Sequence, residues 1–287
     1  MPSEQIQWFP GHMAKTRRMI TENLKNVDVV IEILDARIPR SSRNPEIATL
    51  TAQKPTILLL NKATLADPAM TKKWCEHYSS DTTICITTDC VSGMGINKIS
   101  DAVKVVLAEK IKRYEDKGMT GRKLKAMIVG IPNVGKSSLI NKICGSKKAK
   151  VENRPGVTVD KQWVSTNIGL DLMDMPGVLW PKFDDRLIGE NLALTGAIKD
   201  KILDVESLAI VLCSRLRKFY PEMLSARYKL GDMSNYADYT DLELFEVIGK
   251  KRGFLVSGGE IDYERTANML LEEFRSAKIG KITLDII

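Results

Sequence analysis

The chain has 287 residues, room for about two domains of ordinary size. It carries 43 lysines and arginines against 36 acidic residues, a net charge of +7, with 44% hydrophobic content, a mix that excludes a disordered tail and points to a globular protein with an anionic partner. Five cysteines without a CxxC pair exclude a zinc knuckle and a disulfide framework, and two histidines exclude any centre that needs three imidazoles. No apolar run reaches the roughly 20 residues of a membrane span and no signal-peptide core opens the chain, so a cytoplasmic protein with no membrane partner is expected.

Taken in chain order, β-branched or leucine-rich runs predict strands at residues 27–34, 56–60, 83–86, 124–129, 162–167 and 170–173. Residues 96–113 read as a helix, and the polar, glycine-bearing stretch 114–123 as a connector. Continuous runs such as VDVVIEIL and TILLL belong to strands buried on both faces, so the expected fold class is α/β, a mainly parallel sheet covered by helices. After Trp180-Pro181 helical spacing takes over, with Leu208, Val211, Leu212 and Phe219, then Ala267, Leu270, Leu271 and Phe274 recurring at three and four residues. This divides the chain into an α/β domain over residues 1–184 and a helical domain over 185–287.

The stretch Gly130-Ile131-Pro132-Asn133-Val134-Gly135-Lys136-Ser137-Ser138 satisfies GxxxxGK[ST] between a predicted strand and a helix-compatible SLINKI. Glycines there let backbone N–H groups close around phosphate oxygens, the helix points its positive end at them, and Lys136 adds charge. Ser137 supplies the hydroxyl a Mg²⁺ ion needs. Downstream, Asp174-Met175-Pro176-Gly177 puts a carboxylate at a strand's carboxyl end, suited to a magnesium-bound water, and a glycine whose N–H suits a γ-phosphate. Between them, Arg154-Pro155-Gly156-Val157-Thr158 offers Thr158 to the Mg²⁺ when a γ-phosphate is present.

Asn61-Lys62 ends the apolar strand PTILLL, as the base-reading NKxD element does in Ras-like GTPases, but here the chain continues Ala63-Thr64. A threonine hydroxyl cannot reproduce the bidentate carboxylate that guanine's N–H groups require, and Asp67 could substitute only if its loop is remodelled. The next strand runs into Thr88-Asp89-Cys90-Val91, the place of the SA-type element, where Cys90 best matches the residue whose backbone N–H meets the guanine oxygen. These elements, at residues 61 and 90, precede the phosphate loop at 130, the reverse of the usual order. The pattern resembles the circularly permuted Ras-like P-loop GTPases, with residues 114–123 joining the former chain ends.

Trp8-Phe9-Pro10-Gly11-His12-Met13, Asp35-Ala36-Arg37-Ile38-Pro39 and Ser41-Ser42-Arg43-Asn44-Pro45 narrow the match: the chain resembles the ribosome biogenesis GTPase A (YlqF/RbgA) family. The resemblance implies a GTP hydrolase acting in late maturation of the large (50S) ribosomal subunit, whose GTP form binds the precursor and its rRNA and whose GDP form leaves. No residue after Gly177 can polarise water, since Val178, Leu179 and Trp180 follow, and the resemblance gives that task to His12, a neutral imidazole near pH 7. Asn133 matches the asparagine that lets some GTPases bind K⁺ against the phosphates, with Arg37, Arg43 and Arg154 as alternative sources of that charge. Two basic groups, Lys15, Arg17 and Arg18, and Arg215, Arg217, Lys218, Lys250, Lys251 and Arg252, are expected to meet RNA phosphates. The alternative function is a nucleotide-gated switch that binds another RNA or protein with little turnover.

Overall fold

A computed structural model of the chain describes residues 10–119, 121–145, 163–180, 183, 185–200 and 203–287. Six strands, β1 (Val29–Asp35), β2 (Thr56–Asn61), β3 (Thr83–Thr87), β4 (Leu124–Gly130), β5 (Trp163–Ser165) and β6 (Leu170–Asp174), form one sheet in the order β3-β2-β1-β4-β6-β5. All neighbours run parallel except β5, which closes one edge antiparallel to β6. The apolar runs account for this: β1 and β2 bury every residue, as central parallel strands must.

Helices α1 (Pro10–Leu24), α2 (Pro45–Thr51), α3 (Pro68–Tyr78), α4 (Lys98–Val106), α5 (Ala108–Asp116) and α6 (Lys136–Cys144) accompany the sheet. Their starts are written in the sequence: Asn44 and Asp67 cap α2 and α3 with their side chains, and a proline with its preset φ opens each. The single helix expected over 96–113 is two, because α4 turns its Ile99, Ala102 and Val103 into the core whereas α5 buries none of its own residues. The break falls at Leu107, which is itself buried, and α5 runs on to Asp116, into the expected connector.

The later part of the chain is helical, as its spacing predicts: α7 (Arg186–Leu194), α8 (Val205–Phe219), α9 (Pro221–Tyr228), α10 (Asp241–Arg252) and α11 (Tyr263–Arg275). A Thr240–Glu243 capping box starts α10, and Gly253, at φ +68°, ends it. Helix α8 is the hub, packed against α7, α9, α10 and α11. One continuous core joins Ile31, Leu59, Ile128 and Leu172 of the sheet to Leu216, Phe245, Leu270 and Phe274 of the helices. Residues near the end of the chain return to the sheet: Leu284 N–H donates to Arg37 O (2.7 Å), and the Asp285 carboxylate accepts from Ser41 N–H (2.7 Å) and from Asn191 of α7 (2.8 Å).

Two carboxylates are buried in β1. Asp35 is held by the Arg37 guanidinium (2.7 and 2.9 Å) and by Lys62 (3.0 Å). Burial works to raise this carboxyl, but the two cations keep it well below the usual range. Arg37 is thereby corrected as a source of charge for phosphates: it is fully buried and also donates to the Thr195 and Arg275 carbonyls (both 3.4 Å). Glu32, the middle residue of β1, faces Arg43 at 3.5 Å, and burial pushes its carboxyl up to about 7 despite that partner. A folded-state value above the unfolded one means that this group's stabilisation is present at low pH and lost as pH rises through 7. Between pH 5.5 and 8.5 the parent is expected to lose about 2 kcal/mol relative to Glu32→Gln, measured by urea unfolding of both proteins at each pH. Equal pH slopes for the two proteins would contradict this.

Candidate nucleotide site

The carboxyl ends of the parallel strands β2, β3, β4 and β6 share one edge of the sheet, where an open α/β fold receives its ligands. The phosphate loop leaves β4 and enters α6. Gly135 has φ +109°, and a Cβ there would fall 2.3 Å from the Asn61 amide, so only glycine lets the two loops meet. Lys136, at the first position of α6, is buried, and its ammonium donates to the Gly130 (3.0 Å) and Ile131 (2.7 Å) carbonyls of its own loop. Burial draws this group down to about 8, against the opposing charge of Asp174. Ser137 and Ser138 lie exposed in the first turn of α6, while Val134 is buried beneath the loop.

Asp174 ends β6, and Gly177 follows against the phosphate loop: a Cβ on Gly177 would lie 2.5 Å from the Lys136 Nζ and 2.9 Å from the Pro132 nitrogen. The predicted γ-phosphate motif and the phosphate loop are thus in contact. Burial raises the Asp174 carboxyl, with Lys136 opposing, and its Oδ1 is buried without a partner. An orphaned carboxylate oxygen near a helix that carries the Ser137 hydroxyl in its first turn is a donor set that fits Mg²⁺, which takes one or two protein oxygens and completes its shell with phosphates and water. Among the described residues no group of three or more His, Cys, Asp or Glu side chains is built to hold a metal unaided.

Asn61 ties this half of the site to the other. Its amide nitrogen donates to Val134 O of the phosphate loop (2.8 Å), and its oxygen accepts from Cys90 N–H (3.0 Å). The N–H that the sequence offered to a guanine oxygen is therefore engaged by Asn61. Lys62 takes the left-handed conformation (φ +60°) and sends its ammonium to Asp35. Ala63 N–H donates to Thr88 O (3.1 Å), which brings the two base-side loops together, and the Thr64 hydroxyl donates to the Asp89 carboxylate. Asp67, the other carboxylate on this loop, caps α3 through Ala69 and Met70 N–H (2.8 and 3.2 Å), and its other oxygen faces the Tyr220 hydroxyl at 3.4 Å.

The family model described as 50S ribosome-binding GTPase matches residues 125–230. Ribosome biogenesis GTPase A of Bacillus cereus is 47% identical over 280 residues, covering 98% of this chain and 93% of the relative. The chain belongs to the ribosome biogenesis GTPase A family. The Thermotoga maritima member is 31% identical, with 98% of this chain and 94% of the relative covered. A GDP-bound structure of TM YlqF superposes with a TM-score of 0.62 at 27% identity, over 93% of this chain and 98% of that one. A GNP-bound YlqF from T. maritima gives 0.60 at 26% identity, over 94% and 97%. The fold is accordingly that of a circularly permuted GTPase, as the motif order predicts.

His12 belongs to the first turn of α1, which Pro10 opens; its side chain lies outside the described part of the structure. Thr158 and Arg154 lie outside the described residues. Asn133 takes φ +59° and donates its amide to Gly196 O (2.8 Å), at the end of α7. The basic groups divide. Arg217 pairs with Asp241 (2.6 Å), Arg252 with Glu273 (2.9 Å) and Arg215 with Glu190, all partly buried, whereas Arg18 makes an exposed pair with Glu22 (2.9 Å). Lys15, Arg17, Lys218, Lys250 and Lys251 are exposed. Sequence reasoning missed the bridging role of Asn61 and the Thr64–Asp89 contact. The available signal for the second was a hydroxyl where a carboxylate is expected, with a carboxylate beside Cys90 in the neighbouring loop.

Proposed function

We propose that this chain hydrolyses GTP as an assembly factor in late maturation of the large (50S) ribosomal subunit, binding the precursor in the GTP state and leaving on hydrolysis. The observation that carries the reading is the convergence of Gly177 and the phosphate loop on Lys136, at the edge of a permuted sheet, in a chain matched along 98% of its length by the Bacillus cereus protein. Lys136, with the amides of Val134 to Ser138, would grip the phosphates, and Gly177 N–H would meet the γ-phosphate. Ser137, Thr158 and, through water, Asp174 would hold a Mg²⁺ ion, which when bound neutralises charge on the β- and γ-phosphates. His12 would take the proton side of the attacking water, because Val178, Leu179 and Trp180 are apolar and buried. Asn133 is the proposed ligand for K⁺.

Residues 185–287 form the proposed rRNA-binding domain, with Lys218, Lys250 and Lys251 as its exposed cations and Lys15 and Arg17 on α1 as a second contact. The cytoplasm is the proposed location; among the described residues no helix is long and apolar enough to cross a membrane. The test is single-turnover GTP hydrolysis with large subunits, with small subunits and with neither, each in K⁺ and in Na⁺ buffer. Large subunits alone are expected to raise the rate by at least about tenfold, more in K⁺, and His12→Ala to remove the gain. Equal rates in all three conditions would overturn the reading. The apolar run after Gly177 favours one alternative, a nucleotide-gated switch, which would bind GTP yet leave it intact even on the large subunit.

A further inference from the structure

Guanine presents two adjacent donors, the ring N1–H and the exocyclic amino group, and a protein that selects it must place two acceptors side by side where they arrive. At the position where the NKxD element carries its aspartate, this chain carries Thr64, a residue with one hydroxyl and no charge. Asp67, the other carboxylate on that loop, is spent on capping α3. Any carboxylate that reads the base must therefore come from another segment.

Asp89 is the carboxylate in contact with Thr64. It stands immediately before Cys90 in the loop that follows β3, and the chain reaches it by pairing Thr88 N–H with Leu60 O (2.8 Å) and Ala63 N–H with Thr88 O (3.1 Å). One carboxylate oxygen, Oδ1, accepts from Val91 N–H (2.9 Å) and Ser92 N–H (2.7 Å), which fixes the side chain in a local turn. The other, Oδ2, accepts from the Thr64 hydroxyl and keeps a lone pair. That same bond fixes the direction of the hydroxyl: its proton points to Asp89, so the lone pairs of Thr64 Oγ1 turn away from it. The outcome is two oxygens from two loops in hydrogen-bond contact, one of them charged. Burial acts to raise the Asp89 carboxyl, yet the Thr64 hydroxyl, the amide and hydroxyl of Ser92 and the Val91 amide hold it below the usual range, so it is ionised at neutral pH.

We propose that Asp89 and Thr64 together form the guanine-reading acceptor pair of this protein, the carboxylate supplied from the loop after β3 and the hydroxyl from the loop after β2. Asn61 holds the arrangement in place, since its side chain joins Cys90, next to Asp89, to the phosphate loop at Val134. The inference rests on the GTPase reading of the site and assigns its base specificity.

The test is competition of GTP, ITP and XTP against a fluorescent guanine nucleotide. ITP lacks the exocyclic amino group, and XTP replaces it with an oxygen. The parent is expected to bind GTP at least about tenfold more tightly than either. Asp89→Asn keeps an oxygen for the Val91 and Ser92 amides but loses the charge and the second acceptor. It should bring GTP and ITP to within about threefold of each other and gain affinity for XTP, whose oxygen can take the new amide N–H. The double variant Thr64→Asp with Asp89→Asn returns a carboxylate to the position after Ala63 and should restore the preference for GTP, which a variant that had merely unfolded its loop would not do. An unchanged GTP:ITP ratio in Asp89→Asn would overturn the proposal while leaving the GTPase reading intact. Failure of the parent to bind any of the three nucleotides would strike that reading instead.

Discussion

Lys136→Met is expected to weaken GTP binding by about 10²- to 10³-fold while leaving the nucleotide-free protein close to parental stability. The loss follows from removing a cation that would make charge-assisted hydrogen bonds of about 1.5–3 kcal/mol each to phosphate oxygens. The small effect on stability follows from its present surroundings. The ammonium is buried, and its displacement down to about 8 shows that burial costs it more than the nearby Asp174 returns. Methionine fills the same space without that cost, offsetting the hydrogen bonds lost to the Gly130 and Ile131 carbonyls. Melting curves with and without GTP and Mg²⁺ separate the two consequences. Ligand at about a thousand times its dissociation constant adds about 4 kcal/mol to the parent, a rise in Tm that the variant should lack. A variant that kept the full shift would place the phosphates elsewhere.

Arg37→Met should cost about 3–5 kcal/mol of folding free energy, the largest loss expected from any single polar substitution discussed for this fold. Asp35 would stay buried in the sheet with Lys62 as its one remaining cation, and the carbonyls of Thr195 and Arg275 would lose a donor. Urea unfolding gives the number directly, with the slope unchanged if only the folded state is affected. Asp35→Asn combined with Arg37→Met should recover a good part of the loss, because most of the cost is the stranded charge and not the absent contact. A double variant no better than the single one would mean that Arg37 matters through its packing on Phe274 and the carbonyls, not through Asp35.

These two residues mark what can be read from the sequence and what cannot. The strands were legible because burial on both faces writes itself as unbroken apolar runs, and each of the six lies within a few residues of its expected place. The phosphate loop was legible because its glycines answer to local backbone demands. Arg37 was misread as a free cation because its partner, Asp35, two residues away, is pulled inside by the end of β1, and burial of a polar pair leaves no periodic trace. The acidic partners of the helical part's arginines are hidden in the sequence for a related reason. Arg217 and Asp241, or Arg252 and Glu273, are more than twenty residues apart and meet only because α8, α10 and α11 pack together. Asn61 was found at the right place but with half its work unseen, since a side chain that bridges two loops needs both loops folded. The acceptor role of Asp89 is hidden in the sequence for the same reason: Thr64 touches it across 25 positions of chain.

The bond from Asn133 to Gly196 O sets a limit on communication between the two ends of the molecule. It is a single neutral amide-to-carbonyl hydrogen bond joining the phosphate loop to Gly196, just past the end of α7, and Asn133 itself is exposed. Such a bond contributes about 1 kcal/mol net. Thermodynamic reciprocity then fixes the traffic through it: a nucleotide that breaks it can change the affinity of α7 for whatever docks there by about fivefold, and docking changes nucleotide affinity by the same factor. A larger response must travel through other contacts, such as the arginines that grip the same turn, Arg275 to the Ala193 and Leu194 carbonyls and Arg37 to Thr195. Those are built into the frame of the protein, so the signal they carry would be set by how far the whole helical half moves.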